Sequence, residues 1–279
     1  LLDFVRDTDV PDVIRHRVTV SVSMFEPGKV DHLTYEAAPT VVDKRPPIVI
    51  AAPLSGGNWL AGGGWDGLEG HRRALFAVGN RLKSAQCYAI DWIRLDDSNR
   101  SSRGDSTKNE SDLAYGQPVF AVADGTISGA LDRFPDQIPN QAAGNDRFDY
   151  PEGNSVVQDI GNDLFVLYAH FKPGTLKVKA GQRVKRGQLL GLVGNSGNSS
   201  GAHLHMQVMD AAHPIAADGV PYVFDSFKIV GEVTDMNKAY ENASAGLPQQ
   251  VEQTAACGDH KHELPREGSI IVFPELQTH

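Results

Sequence analysis

Nowhere in the 279 residues is there an apolar run of the roughly 18 residues that cross a bilayer as a helix. No transmembrane helix is therefore expected. The chain is also short of positive charge, with 26 Lys and Arg against 35 Asp and Glu and a formal charge of −9. That balance argues against sequence-independent binding to a phosphate backbone, so no nucleic-acid partner is expected. There are two cysteines, Cys87 and Cys257, and no CxxC motif, which leaves a cysteine zinc site without support. One long-range disulfide and two free thiols both remain open. The opening LLDFVRDTDVPD has no basic start and soon turns acidic, so it does not read as a signal peptide. Helical periodicity is weak from residue 116 to 208.

What is present is β-type patterning. With 41% hydrophobic residues, 28 Gly and 16 Pro, the composition fits a globular chain of one large or two smaller domains. VIRHRVTVSVSMF and HLTYEA within residues 13–41 alternate with period two, and PGK between them reads as a turn. IVIAAP (48–53), QCYAIDWIRL (86–95), PVFAVADGTISGAL, NSVVQDIG, LFVLYAHF, HLHMQVM and GSIIVF (268–273) read as further strands. GQPVFAVADGTI (116–127) and GQRVKRGQLLGLV (181–193) resemble one another and read as a repeated hairpin. The glycine-rich SGGNWLAGGGWDGLEGH (55–71) reads as an irregular loop, whose Trp59 and Trp65 either line a groove or pin the loop. Residues 98–112 and 132–153 read as exposed polar insertions, the first carrying an RGD that receives no weight. The polar stretch 231–255 reads as a long excursion.

Ten histidines are present, and four stand at the ends of strand-like or glycine-bounded segments: His71, His170, His203 and His205. His203 and His205 are two apart, so in a strand both imidazoles project from one face. Asp91 sits inside the apolar run YAIDWI, where an unpaired carboxylate costs several kcal/mol. A divalent cation is a natural partner for it. A catalytic zinc centre takes three protein ligands from His and Asp or Glu and leaves a position open for water. Four histidines and one aspartate suffice for such a centre with two outer catalytic groups. His260 and His262 read as part of a solvated tail, and His16, His32, His213 and His279 receive no role.

In their order along the chain, a His, the strand Asp, LYAHF and GAHLHMQV together resemble the lysostaphin-type (LytM-like) zinc metallopeptidases. The likeness covers roughly residues 68–210, and His203-x-His205 is its most specific part. The resemblance implies zinc held by His71, Asp91 and His205. It makes His170 and His203 the outer pair, one acting as general base towards the attacking water and one stabilising the oxyanion. Which does which stays open. It also implies hydrolysis of a peptide bond in bacterial cell-wall peptidoglycan or a Gly-rich peptide, in an extracytoplasmic setting. One departure stands out: twenty positions separate His71 from Asp91, where the family's first ligand usually lies only a few residues before its Asp. The intervening RRALFAVGNRLKSAQCYA reads as an added loop or strand pair.

The expected fold is all-β or β-rich, with antiparallel sheets of the lysostaphin-type core and long loops around a groove. The expected organisation is an N-terminal β extension (1–45), the peptidase domain (46–230) and a C-terminal extension (231–279) whose last strand returns near the N-terminal strands. Two other readings compete. One is a lysostaphin-type domain that has lost its chemistry and acts as a binding or activating module. The other is a biotinyl- or lipoyl-type carrier, suggested by AGQRVKRGQLLGLVG. A carrier needs a modifiable Lys in a Met-Lys-Met-like setting, and no such tripeptide occurs.

Overall fold

The computed structural model describes residues 10–23, 30–42, 44–67, 70–141 and 150–276. The chain divides into two compact units, Leu1–Pro46 and Pro47–His279. In the first, β1 (Val13–Ser23) pairs antiparallel with β2 (Val30–Val41). Val18 faces Tyr35 and Val20 faces Leu33 across the pair, while Thr19 and Thr34 face each other one residue out of phase. Apolar and polar pairs therefore alternate between the two faces, as the period-two sequence dictates. The PGK segment lies outside the described residues.

The second unit is built from short strands: β3 (Ile48–Ile50), β4 (Gly56–Gly62), β5 (Phe76–Val78), β6 (Arg81–Lys83), β7 (Ile90–Arg94), β8 (Pro118–Phe120) and β9 (Gly125–Leu131). There follow β10 (Ser155–Gly161), β11 (Leu164–Ala169), β12 (Arg183–Val184), β13 (Leu189–Leu192) and β14 (Leu204–Met209). The last elements are β15 (Tyr222–Phe224), β16 (Phe227–Glu232), the helix α1 (Met236–Ser244), β17 (Gly258–His260) and β18 (Ser269–Phe273). Ten of these strands form one sheet in the order β12-β9-β10-β11-β14-β7-β4-β18-β16-β17, with every neighbouring pair antiparallel. The β-rich, antiparallel fold expected from the sequence is the one observed.

The centre of this sheet explains how the site is held. On β7, β14 and β11 the residues Trp92, Leu204, Met206 and Tyr168 are all fully buried in the main core. Trp92 stands opposite Leu204, and Met206 opposite Tyr168. Burying each such side chain stabilises the fold by about 1.5–3 kcal/mol. Because side chains alternate along a strand, fixing this face also fixes Asp91, His205 and Ala169 on the other. The two similar hairpin segments pair with each other, β8 with β13 and β9 with β12. The segment between His71 and Asp91 forms the added strand pair β5–β6. The closing strand β18, expected to return towards the N-terminal strands, takes its partners from β4 and β16.

Several expectations are corrected. The glycine-rich stretch from residue 55 is not an irregular loop throughout, since Gly56–Gly62 is strand β4 in the main sheet. Glycine is needed there because a Cβ on Gly57 would lie 2.6 Å from Val272 Cγ2. Trp59 is buried in the core, with Arg94 stacked over its ring; it does not line a groove. QCYAIDWIRL becomes strand only from Ile90, with a turn before it.

The stretch 231–255 is not a simple excursion, because it contains α1. The helix is capped by Asp235, whose Oδ1 accepts from the Lys238 N–H at 2.9 Å. Gly246, at φ 66°, follows its end in the left-handed conformation. His260 lies in β17, stacked on Phe227 and hydrogen-bonded to Glu263, not in a solvated tail.

The polar insertions are also more ordered than their composition suggests. Ser101 and Ser102 are buried. Asn109 Nδ2 donates to the Gln137 carbonyl at 2.7 Å, and the Ala202 N–H donates to Asp112 Oδ2 at 2.8 Å. In the second insertion Asp136 accepts from Asn195 N–H and from the Tyr115 hydroxyl, while residues 142–149 lie outside the described residues. Only 103–108 form a continuous exposed run in the first. Limited proteolysis of that insertion is expected to cut within 103–108 and spare 109–112, read by mass spectrometry of the fragments. Early cutting at Asn109–Asp112 would contradict the anchoring.

Candidate metal and catalytic site

The site is a row across the middle of the sheet. Gly62 on β4 pairs with Asp91 on β7, Asp91 with His205 on β14, and His205 with Ala169 on β11. His170 follows Ala169, and His203 lies two residues before His205. His71 comes from outside the row, on a short 3-10 turn (Gly70–Arg73). All five residues singled out from the sequence are thus brought together.

The contacts converge on one carboxylate. His205 Nδ1 lies 2.9 Å and His203 Nε2 3.5 Å from Asp91 Oδ1, while His71 Nε2 lies 3.3 Å from Asp91 Oδ2. Ligand atoms of His71, Asp91 and His205 all lie within 4.8 Å of one another. His170 and His203 are ring neighbours, with centroids 4.7 Å apart.

Each imidazole is tied at its other nitrogen. His71 Nδ1 meets the Gly63 carbonyl at 3.0 Å, His170 Nδ1 the Ser196 carbonyl at 2.8 Å, and His203 Nδ1 the Gly201 carbonyl at 2.8 Å. His205 Nε2 meets Gln207 Oε1 at 2.9 Å. With the proton on that nitrogen, the opposite one carries the lone pair. His71 Nε2 and His205 Nδ1 then turn lone pairs towards an anionic carboxylate. Acceptors this close repel unless a positive charge lies among them. Two neutral imidazoles and a carboxylate are the donor set of a zinc centre, and carbonyl or amide acceptors behind the imidazoles are its usual support.

Burial and neighbouring charges set the protonation of these groups. Burial lowers the His71 pKa and holds His170 well below the usual histidine range, so both favour the neutral form. Burial pushes Asp91 upward, but His71 and His203 outweigh it and hold the carboxyl well below its usual range. Burial likewise opposes charge on His203, yet Asp91, the Gly201 carbonyl and Asp112 together raise it.

His170 adopts φ 64°, a conformation costly for a non-glycine residue. It is held there by its N–H donating to the Glu152 carbonyl and its carbonyl accepting from Gly194 N–H, both at 3.0 Å. Gly63 also matters, because at φ 60° a Cβ would stand 2.6 Å from His71 Nδ1. Gly63→Ala is expected to displace His71 and weaken metal affinity about tenfold or more, as loss of ligand support does. A zinc titration against a competing chelator measures this; unchanged affinity would remove His71 from the centre.

Residues 110–217 match peptidase family M23. The chain carries a domain of this family. The matched segment includes His170, His203 and His205, while His71 and Asp91 precede it. The lysostaphin-type resemblance is thereby borne out. Among curated relatives of the M23 domain is the peptidoglycan DD-endopeptidase ShyA of Vibrio cholerae, 42% identical over 65 residues. That match covers 23% of this chain and 15% of the relative. An uncharacterized metalloprotease of Haemophilus influenzae is 35% identical over 95 residues, 34% of this chain and 16% of that protein. The chain therefore matches about one sixth of the length of these relatives. Among solved structures, the catalytic domain of lysostaphin from Staphylococcus simulans aligns at 23% identity over 51% of this chain and 78% of its own, with a TM-score of 0.31.

Sequence reasoning missed several neighbours of the five. Gln207 continues the period two of His203 and His205, so that signal was available. Gly63, Ser196 and Gly201 act through backbone carbonyls and leave no such signal. Tyr240, on α1, accepts from the Gly63 N–H at 3.2 Å and lines a cavity beside Asp91 and His203. Cys87 and Cys257 are free thiols. Among the described residues no helix is long and apolar enough to cross a membrane.

Proposed function

We propose that this M23 domain is a zinc-dependent endopeptidase acting outside the cytoplasm on peptide bonds of peptidoglycan or Gly-rich peptides. The observation that carries the reading is the convergence of His71 Nε2, His205 Nδ1 and the Asp91 carboxylate, with the far nitrogen of each ring hydrogen-bonded to an oxygen. These three residues would hold the ion. Zinc supplies a Lewis acid for the scissile carbonyl and brings the pKa of water towards neutrality.

The remaining chemistry belongs to His170 and His203. Both have Nδ1 tied to a carbonyl, so both present Nε2 to the reaction. One accepts the proton of the attacking water and later passes it to the leaving amine; the other, in its doubly protonated form, donates from Nε2 to the oxygen on which negative charge develops. Main-chain bonds on both sides of His170 keep its ring from swinging away, which preserves the geometry between turnovers.

Two cavities of about 280 Å³ each share Asp91, His203 and Ser200 on their walls. A peptide lying through both would pass over the row, with internal bonds in reach. That arrangement favours an endopeptidase.

The test is incubation of the zinc-loaded protein with pentaglycine and with purified peptidoglycan, followed by mass spectrometry of the fragments. New amino termini within the peptide are expected. Retained zinc without cleavage of either substrate would favour the binding-module reading.

A further inference from the structure

Glu152 lies on the wall of the cavity that also carries His71, Asp91, His170, His203 and His205. Its backbone is fixed. Its carbonyl accepts the His170 N–H at 3.0 Å, and the preceding Pro151 carbonyl accepts from Asn198 N–H at 2.8 Å. Gly153, next along, packs so tightly that a Cβ would lie 2.5 Å from the main chain at Ser196 and Gly197. The side chain is therefore delivered to a set place one hydrogen bond away from the outer histidine pair.

The carboxylate is poorly satisfied in that place. Its Oε2 is shut off from solvent and has no hydrogen-bond partner among the described residues. Among those residues no Lys or Arg lines the cavity. Burial pushes the carboxyl pKa up, and its own N–H, His213 and His205 oppose that only in part. A carboxylate oxygen shut off from solvent with no donor is costly to keep, so such a group marks a place where a ligand can supply what is missing. Asp91 is the other carboxylate on this wall, and it already has three imidazoles around it.

We propose that Glu152 is a substrate-specificity residue whose carboxylate binds a primary ammonium group carried by the peptide close to the scissile bond. An ammonium offers three donors and a full positive charge, and its hydrogen bonds to a carboxylate are roughly twice as strong as neutral ones. The inference rests on the endopeptidase reading above. The ammonium can be the amino terminus of a short peptide or the side-chain amine of a dibasic residue. Both present the same group to Glu152.

The probes are the tetrapeptide Gly-Ala-Lys-Ala with both amines free, with the α-amine acetylated, with the ε-amine acetylated, and with both acetylated. Their dissociation constants are measured by calorimetry on wild-type protein and on Glu152→Gln, with mass spectrometry of the recovered peptide to separate binding from cleavage. The wild type is expected to bind the free peptide about tenfold or more tighter than the doubly acetylated one. The singly acetylated forms then show which amine is read. Glu152→Gln is expected to erase this preference while its affinity for the doubly acetylated peptide stays within about twofold, as for an interaction made only with the charge. A merely structural role for Glu152 would weaken all four peptides alike.

The inference is overturned if the wild type shows no preference for the free amine, if it binds none of the peptides, or if Glu152→Gln keeps the preference. Should Glu152→Gln fail to fold, Glu152→Asp takes its place: it keeps the charge and is expected to keep part of the preference, and full loss would count against the proposal. Amine preference with no cleavage of pentaglycine or peptidoglycan contradicts the endopeptidase reading alone. Cleavage without amine preference contradicts the Glu152 assignment alone.

Discussion

His203→Ala is expected to keep its metal and its fold and to lose peptide hydrolysis by roughly a hundredfold or more, the usual cost of removing a positioned acid, base or oxyanion partner. The two paired histidines of β14 part company here. His205 Nδ1 meets Asp91 at 2.9 Å, whereas His203 Nε2 stands back at 3.5 Å and its ring lies against that of His170. Removing His203 leaves His71, Asp91 and His205 as a complete ligand set. His170→Ala is expected to behave in the same way, and it leaves those three ligands equally intact. If the two rings act as a unit, the double variant should cost less than the product of the single losses. Turnover and zinc content on one preparation of each variant decide the point. Full activity in His203→Ala with zinc bound would make His203 a bystander.

His205→Ala is expected to lose the metal itself, from about one ion per chain to a small fraction of that, because an open catalytic centre depends on three protein ligands. Hydrolysis should disappear with it. The ring is buried, opposite Asp91 on one side and Ala169 on the other, and it makes the shortest of the imidazole contacts to Asp91. Gln207→Ala offers a graded version. It keeps the ligand but removes the oxygen that fixes its tautomer, and it should weaken zinc by about 10–100-fold. Elemental analysis of the purified variants measures both effects. Stoichiometric zinc in His205→Ala would remove that residue from the centre.

Part of this arrangement is legible in the sequence for simple reasons. A strand puts residues two apart on one face, so His203 and His205 announce themselves. An aspartate inside YAIDWI is conspicuous because its neighbours are apolar. The register that sets Asp91 opposite His205 is not written locally, since it depends on Trp92, Leu204 and Met206 packing into a core assembled from distant strands.

Strand β4 was hidden for a related reason. Its glycines read as loop in isolation, and only the presence of Val272 beside Gly57 makes glycine the residue that a strand requires there. Helix α1 buries just Ala239 and Asn242, so it has almost no apolar stripe to find. Its Asp235 cap was the available signal. The insertion 98–112 misled by composition, because Ser101, Ser102, Asn109 and Asp112 are held through hydrogen bonds and burial that a polar sequence does not advertise.

The most direct measurement follows zinc content and peptide cleavage together on a single wild-type preparation, first as purified, then after chelation, then after zinc is restored. About one zinc per chain is expected at the start, with cleavage lost on chelation and recovered on refilling. Cleavage that persists in the zinc-free protein, or a protein that takes up no zinc, would contradict a catalytic metal centre at His71, Asp91 and His205.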